Sequence, residues 1–337
     1  MITEAIERVI EGNSLSEQEM IGVMNQIMGG EATPVQIGSF ITALRMKGET
    51  VEEISGAARV MREKAVKIRT SSSVVVDTCG TGGDGANTFN ISTTAAFVVA
   101  GAGITVAKHG NRSVSSNCGS ADVLKAIGAN IEVDADIVKR CLDQNGIGFL
   151  FAPLLHGAMK YAAAPRREIA VRTIFNILGP LTNPAGANAQ VIGIYSGELT
   201  EKMAAVLGNL GSRHAFVVHG EDGLDEVTLT SKTKISELKN GNVNTYWIEP
   251  EEFHMKRCGV EDLKGGSPEE NAGITLGVLK GEKGPKRDIT LLNAAAAIVA
   301  GGKAETLKKG IEIAAESIDS GAAMKKLDGL VEMSNKG

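Results

Sequence analysis

The chain has 337 residues, enough for two domains, and 43% of them are hydrophobic and 22% charged, which is typical of a globular protein. A formal net charge of −5 argues against a nucleic-acid-binding protein, and neither a signal peptide nor an apolar run of transmembrane length is present. The four cysteines show neither C-x-x-C spacing nor a disulfide framework, so we expect a cytoplasmic protein that binds neither nucleic acid nor membrane.

Residues 1–70 show helical periodicity and no strand signal. Ser14-Leu15-Ser16 precedes a second predicted helix, Thr33-Pro34 starts a third, and residues 50–66 form a fourth. Apolar residues recur on one face of each of these helices. The sequence therefore predicts a small helical bundle, and its apolar faces also suit a dimer interface.

A glycine-rich loop follows the first predicted strand. The run Ser73-Val74-Val75-Val76-Asp77, with three β-branched valines, is typical of a buried strand, and it leads into Gly80-Thr81-Gly82-Gly83-Asp84-Gly85, which we call the glycine loop. A helix of small residues follows at 93–101, with Ser92 as its predicted N-cap. Free backbone N–H groups and a helix N-terminus together favour the binding of an anion.

The next strand leads into a second polar loop, residues 108–120, which carries Lys108, His109 and Arg112. Either Ser120 or Asp122 is expected to cap the helix that follows. Because successive parallel strands of a βαβ unit end at the same edge of a sheet, the two loops should lie together. Backbone amides from one loop and cations from the other suit a phosphorylated substrate.

The rest of the chain continues an α/β pattern. Further strands are predicted at 147–152, 190–195 and 214–219, with a hairpin about Asn240-Gly241. The acidic pair Asp225-Glu226 lies in a loop after the third of these strands. Helices are predicted at 135–141, at 153–164, from Pro165 to Leu178, at 288–300, and twice more after residue 303.

Three blocks of sequence resemble the anthranilate phosphoribosyltransferase family. They are DTCGTGGDGANTFNIST at residues 77–93, KHGNRSVSSNCGSADVL at 108–124 and RTIFNILGPLTNP at 172–184. The blocks occur in the family's order, and the similarity extends over most of the chain. The resemblance implies transfer of a phosphoribosyl group from phosphoribosyl pyrophosphate (PRPP) to anthranilate, a step of tryptophan biosynthesis.

The resemblance also implies the architecture, which is shared with pyrimidine nucleoside phosphorylases. The fold class is α/β, with a small N-terminal helical bundle and a larger domain that has a central, mostly parallel sheet flanked by helices. Residues 1–70 and about 165–185 would form the helical domain. Residues 74–164 and about 186–337 would form the α/β domain, with the active site between the two, and the helical domain would form a homodimer.

The residues that match the family's functional positions fall into three groups. The donor-binding group is Gly80, Gly82, Gly83, Asp84, Thr88, Asn90, Ser92, Thr93, Lys108 and Ser120. The anthranilate-binding group is Gly80, His109, Asn111 and Arg166. The metal group is Ser92, Asp225 and Glu226, which would bind Mg²⁺, two ions per monomer. Catalysis would rest on positioning and electrostatics, with His109 as the candidate catalytic side chain.

Several alternatives remain open from the residues themselves. A glycine-rich turn is often only a tight turn, and an acidic pair in a loop usually serves solubility. Either Arg166 or Arg167 could face the substrate carboxylate, since a helix directs them to different faces. A nucleoside phosphorylase of the same fold and a nucleic-acid-binding relative are the other functions considered. The acidic pair Asp225-Glu226 and the turn at 88–92 favour the transferase.

Overall fold

The structure is a computed structural model that describes residues 1–113 and 118–336. Its N-terminal part is the predicted helical bundle. Ser16, Thr33 and Thr50 cap the second, third and fourth helices, and each side chain accepts a hydrogen bond from the backbone N–H three residues later. The bundle helices α1–α4 are Ile2–Ile10, Glu17–Gly29, Pro34–Lys47 and Val51–Lys64.

A seven-stranded sheet forms the centre of the larger part and confirms the predicted fold class. Its strands β1–β7 are Val75–Gly80, Thr105–Gly110, Ile147–Phe151, Ala189–Gly193, His214–Gly220, Thr233–Lys239 and Asn242–Ile248. The order is β3-β2-β1-β4-β5-β6-β7; the pairs from β3 to β5 are parallel, and the β5–β6 and β6–β7 pairs are antiparallel. The order reverses between β1 and β4, and ligands of open α/β sheets bind in the crevice that such a reversal leaves at the carboxyl edge.

In the part of the chain that the structure describes, eleven further helices surround the sheet or return to the bundle. They are α5 Ile91–Gly101, α6 Ser120–Ile127, α7 Ala135–Arg140, α8 Ala152–Leu155, α9 Lys160–Ile169, α10 Phe175–Leu178, α11 Thr200–Asn209, α12 Pro268–Leu279, α13 Pro285–Ala300, α14 Leu307–Asp319 and α15 Ala322–Asn335. No helix within the described ranges combines the length and the apolar character needed to span a bilayer.

Two predicted helix caps were wrong. Helix α5 has Asn90 in the N-cap position, and Ser92 lies within the first turn, where its backbone N–H donates to Glu226 Oε1 at 3.2 Å. Helix α6 has Gly119 as its N-cap instead of Ser120 or Asp122. In both cases the predicted residue makes a different hydrogen bond. Asp122 is the third residue of α6, and its side chain accepts from the backbone N–H of Gly119 at 2.9 Å.

The predicted helix from Pro165 to Leu178 was also wrong. Pro165 lies inside α9, where it removes one backbone donor, and Ala170 ends that helix in the left-handed conformation at φ 50°. Helix α10 then begins separately at Phe175. The predicted helix 153–164 is likewise divided, because a 3₁₀ turn at Gly157–Met159 separates α8 from α9.

Two large hydrophobic cores lie on opposite faces of the sheet. One packs α5 and α12–α15 against the sheet. The other extends from the bundle to the opposite face of the sheet, and it includes Ala162 of α9, Phe175 of α10 and Val217 of β5. The segment that contains α9 and α10 thus packs with the bundle, although the exact domain boundaries stay a prediction.

Candidate active site

The glycine loop lies at the carboxyl end of β1, beside the ends of β2 and β4. Gly82, Gly83 and Gly85 all have positive φ, at 65°, 75° and 75°. Side chains with a Cβ rarely adopt this conformation, so the course of the loop depends on glycine. The loop remains partly open to solvent, and its backbone is therefore accessible to a ligand.

Asp225 lies directly against this loop. Its Oδ2 accepts a hydrogen bond from the Gly82 N–H at 2.8 Å. A Cβ on Gly80 would lie 2.3 Å from the same oxygen, and a Cβ on Gly193 would lie 1.5 Å from the Asp225 carbonyl oxygen. Gly80 and Gly193 end the neighbouring strands β1 and β4, so two glycines leave the space that Asp225 fills.

Glu226 completes an oxygen-rich cluster with Ser92 and Asp225. Besides its bond to the Ser92 N–H, Glu226 lies close enough to Asp225 and Asp84 to be repelled by both. Burial raises the pKa of Asp225 and Glu226 well above the usual carboxyl range, and repulsion within the cluster adds to the shift. The structure thus brings together the three residues predicted to bind metal.

The donor set suits magnesium. Every side-chain ligand here is an oxygen, which is the preference of Mg²⁺, and that ion usually binds one or two carboxylates and keeps water and substrate phosphate oxygens as its other ligands. Within the described residues, no cluster of three or more His, Cys, Asp or Glu side chains has the geometry of a metal site. The acidic pair with Ser92 therefore fits a site that substrate completes.

Lys108 supplies a buried cation next to the acidic pair. Its side chain is only 4% exposed, and Nζ donates to the carbonyl oxygen of Thr78 on β1. Its charge opposes the raised pKa of both Asp77 and Glu226. A buried ammonium between carboxylates at the end of a strand is well placed to face a phosphorylated ligand.

His109 pairs with a histidine that sequence reasoning did not select. His109 Nε2 lies 3.1 Å from His156 Nε2, and the backbone N–H of His109 donates to Asp77 Oδ1 at 3.1 Å. Burial lowers the pKa of His109 to about 3 and that of His156 to about 4. Both rings are therefore neutral at pH 7, and His109 is too weak a base to take up a proton there.

This histidine pair should make the fold sensitive to acid. Both pKa values are lowered from 6.5, so between about pH 6.5 and pH 4 the unfolded chain binds protons that the folded chain excludes. Stability is therefore retained above pH 6.5 and lost as pH falls. Each histidine should account for about 2 kcal/mol between pH 7 and pH 5. His156→Asn should remove one such contribution in urea unfolding at the two pH values.

The matched control is His254→Asn. His254 is exposed and has a left-handed backbone, which asparagine tolerates. The control should keep the pH dependence of the wild type. An equal loss of stability between pH 7 and pH 5 in wild type and His156→Asn would show that His156 does not account for the sensitivity.

The remaining predicted donor contacts lie around the two loops. Asn90 donates from Nδ2 to the Cys118 carbonyl at 3.2 Å and accepts from Asn271 Nδ2 at 3.0 Å, so its amide links the start of α5 to the second loop and to α12. Thr93 is buried in the first turn of α5. Thr88 forms an isolated antiparallel bridge with Lys264.

Ser120 and Asn111 lie together at the end of the second loop. Ser120 Oγ donates to the Asn111 carbonyl at 3.3 Å, and the Asn111 side chain is exposed. Residues 114–117 of this loop lie outside the described part of the chain. Arg112 pairs with Glu132 at 3.0 Å, which favours a structural role for this arginine.

The two candidate arginines for the acceptor carboxylate differ in their surroundings. Arg166 is partly buried, with its guanidinium 5.1 Å from the centroid of the Phe175 ring, whereas Arg167 is exposed. Burial lowers the pKa of Arg166. Neither arginine forms an ion pair with any carboxylate in the described ranges. The geometry favours Arg166 as the side chain that an anionic ligand would reach.

Arg172 is a further arginine at this site that sequence reasoning missed. It donates to the Gly83 carbonyl and lies 4.2 Å from the centroid of the Tyr195 ring. It therefore ties the segment after α9 to the glycine loop. Only its place in the third matched block marked it in the sequence, because its partners lie far away along the chain.

Comparison with known proteins identifies the family. The profile described as "Glycosyl transferase family, a/b domain" matches residues 72–324, and "Glycosyl transferase family, helical bundle domain" matches residues 3–65. An anthranilate phosphoribosyltransferase of Moorella thermoacetica is 59% identical, with 98% of each chain covered, and one of Syntrophotalea carbinolica is 57% identical, with 99% of each chain covered. This chain belongs to the anthranilate phosphoribosyltransferase family.

Solved structures of the family have the same fold. The anthranilate phosphoribosyltransferase of Thermus thermophilus is 44% identical with a TM-score of 0.93, over 98% of this chain and 99% of that one. The Saccharomyces cerevisiae anthranilate phosphoribosyltransferase in complex with PRPP and Mg is 29% identical with a TM-score of 0.91, over 100% of this chain and 98% of that one. The predicted family and the predicted fold are both confirmed.

Proposed function

We propose that this protein transfers the phosphoribosyl group of PRPP to the amine of anthranilate, giving N-(5-phosphoribosyl)anthranilate and pyrophosphate in tryptophan biosynthesis. The observation that carries the proposal is the meeting of the glycine loop, Lys108 and the acidic pair at one edge of the sheet, in a member of this family. The cytoplasmic location inferred from the composition is part of the proposal.

The donor would bind across the two loops. The Gly83 N–H and the N-terminus of α5 favour its pyrophosphate, and Asp84 would contact its ribose or pyrophosphate. Lys108 adds a buried positive charge on the same side. The other predicted donor contacts (Gly80, Thr88, Asn90, Ser92, Thr93 and Ser120) line or hold these loops.

Ser92, Asp225 and Glu226 would hold Mg²⁺, and we propose two ions per monomer. The relative from Saccharomyces cerevisiae was solved with PRPP and Mg, which supports magnesium here. Bound at this site, the metal would supply positive charge that neutralises the departing pyrophosphate. The acidic pair in turn needs a cation, because burial and mutual repulsion disfavour its ionised form and a bound metal would offset both effects.

The acceptor would bind beside the second loop, against His109, Asn111, Arg166 and the backbone of Gly80. Arg166 would pair with its carboxylate. The amine of anthranilate is already neutral at pH 7, so no strong base is required, and the lowered pKa of His109 agrees with a positioning role. Substitution at the anomeric carbon would then depend on alignment of the two substrates and on neutralisation of charge.

A fluorescence assay tests the function. Anthranilate fluorescence should decay in the presence of protein, PRPP and Mg²⁺, and it should persist when any one of the three is left out. The second candidate, a nucleoside phosphorylase, would instead release a free base from a pyrimidine nucleoside and inorganic phosphate. Base release without loss of anthranilate fluorescence would reject the transferase.

We also propose that the protein forms a homodimer through the helical bundle. Ile10 of α1 and Val35 and Met46 of α3 are 69%, 77% and 83% exposed, which is unusual for large apolar side chains at adjacent helices. Light scattering should give about twice the chain mass of 35.2 kDa. Val35→Glu should shift the protein towards monomer, whereas Val260→Glu, at an exposed apolar residue of the α/β part, should not.

If wild type and Val35→Glu both scatter as monomers, or if both remain dimers at the lowest measurable concentration, this interface is wrong. The Val260→Glu control separates a local effect on the bundle from a general effect of added charge. Its circular dichroism should match that of Val35→Glu, because both positions are exposed and neither fills a core.

A further inference from the structure

The acidic pair is held at both of its flanking residues by side-chain clamps. Before the pair, the Leu224 N–H donates to Asp222 Oδ1 at 3.1 Å. After the pair, the Val227 N–H donates to Asn293 Oδ1 at 2.9 Å, and Asn293 Nδ2 donates back to the Val227 carbonyl at 2.8 Å. Asn293 lies on α13, so the second clamp comes from a distant element.

The Asn293 amide has a full set of partners. Its side chain is only 2% exposed, and Nδ2 also donates to the Ile289 carbonyl in its own helix at 2.9 Å. The backbone of Val227 fixes the orientation of the amide, because a backbone N–H can only donate and a carbonyl can only accept. Asparagine thus pairs with one residue of the loop as a neighbouring strand would.

The hydrogen bonds between Asn293 and Val227 matter because the acidic pair has little room to move. Asp225 fits a space left by Gly80 and Gly193, so a shift of a fraction of an ångström would cause a clash or leave a gap. The ionised carboxylates that bind a metal are also costly to bury, and movement of the loop towards solvent would relieve that cost. A fixed Val227, adjacent to Glu226, opposes that movement.

We propose that Asn293 is a positioning residue that fixes Asp225 and Glu226 in their metal-binding arrangement. The inference rests on the proposed function of the acidic pair. Side chains that orient metal ligands without touching the metal typically change metal affinity 10- to 100-fold when they are replaced. The simpler explanation is that Asn293 only joins α13 to the loop, which would lower stability without changing metal binding.

The test compares Asn293→Leu with Thr290→Val. Thr290 is also buried on α13, but its hydroxyl donates only to the Lys286 carbonyl of the same helix, at 2.7 Å. Each variant is titrated with Mn²⁺ in the presence of pyrophosphate, and free Mn²⁺ is measured by electron paramagnetic resonance. Asn293→Leu should bind Mn²⁺ at least about 10-fold more weakly. Thr290→Val should bind it as wild type does.

Kinetics provide a second measurement. In Asn293→Leu, the Mg²⁺ concentration for half-maximal turnover should rise by the same factor as the Mn²⁺ dissociation constant, while the anthranilate KM stays unchanged. Equal Mn²⁺ binding by Asn293→Leu and Thr290→Val would overturn the inference. If the leucine variant does not fold, Asn293→Ala, which adds no bulk and favours helix, takes its place with the same two outcomes.

Asp225→Asn with Glu226→Gln separates this inference from the function on which it rests. If that double variant binds Mn²⁺ like the wild type, the proposed metal site is wrong and the role of Asn293 is wrong with it. If the double variant loses Mn²⁺ binding while Asn293→Leu retains it, the metal site stands and only the role of Asn293 is rejected.

Discussion

Asp225→Asn combined with Glu226→Gln should give a folded protein that has lost at least about 100-fold of its Mg²⁺-dependent turnover. A metal at the proposed site would supply several kcal/mol of charge stabilisation, and each step of about 1.4 kcal/mol is about tenfold in rate. The amides keep the size of the side chains and can still accept from the N–H groups of Gly82 and Ser92. Turnover is measured across a range of Mg²⁺ concentrations.

The matched control is Glu221→Gln, which removes an exposed carboxylate from the same loop. It should keep normal turnover and normal Mg²⁺ dependence. A double variant that matches the wild type at limiting Mg²⁺ would reject the assignment of Asp225 and Glu226. Loss of turnover in Glu221→Gln as well would point to the general charge of the loop.

The same double variant should be more stable than the wild type when Mg²⁺ is absent. Burial raises the pKa of both carboxyls in the folded state, so their contribution to stability is present at low pH and is lost as pH rises above the usual carboxyl range. Asparagine and glutamine do not titrate. The melting temperatures should therefore differ most at pH 8 and converge towards pH 4.

Arg166→Ala should raise the anthranilate KM by roughly 10- to 100-fold and change the PRPP KM far less. A charge-assisted pair between a guanidinium and a carboxylate contributes on the order of 1.5–3 kcal/mol. Arg166 is partly buried against Phe175 and has no carboxylate partner among the described residues, so an anionic acceptor would give it one. Steady-state kinetics with each substrate varied in turn provide the measurement.

Two further arginine variants test whether the effect is specific to Arg166 and to its guanidinium group. Arg167→Ala removes the exposed neighbour and should leave both KM values close to those of the wild type. Arg166→Lys keeps the charge but loses the planar fork, so its anthranilate KM should lie between those of wild type and Arg166→Ala. Equal effects of Arg166→Ala on both substrates, or an effect only in Arg167→Ala, would show that the acceptor carboxylate pairs elsewhere.

Local signals explain why much of the fold was predictable. Helix caps such as Ser16 and Thr33 act through the backbone three residues away, and the glycine loop follows from glycine's access to positive φ. The hairpin at Asn240-Gly241 is another such case, with both residues at positive φ. Each signal involves neighbours in the chain, and so it can be read without knowledge of the fold.

The errors arose where a distant contact overrides a local preference. Ser92 is a good capping residue by type, but its N–H faces Glu226, 134 residues later. Pro165 usually marks a helix start, yet packing against the bundle keeps it inside α9, where Ala162 and Pro165 are both buried. Propensity contributes at most a few kcal/mol at one position, and burial of apolar surface readily exceeds that.

The sequence by itself determined the family, the order of strands and helices, and the residue types gathered for phosphate and metal. Only the tertiary structure decided how those residues meet. Asp225 reaches Gly82 across 143 residues, Arg172 reaches Gly83 across 89, and Asn293 reaches Val227 across 66. Each contact joins a side chain to a backbone group, which leaves no pattern in the sequence, because every residue has the same backbone and only packing selects which one is reached.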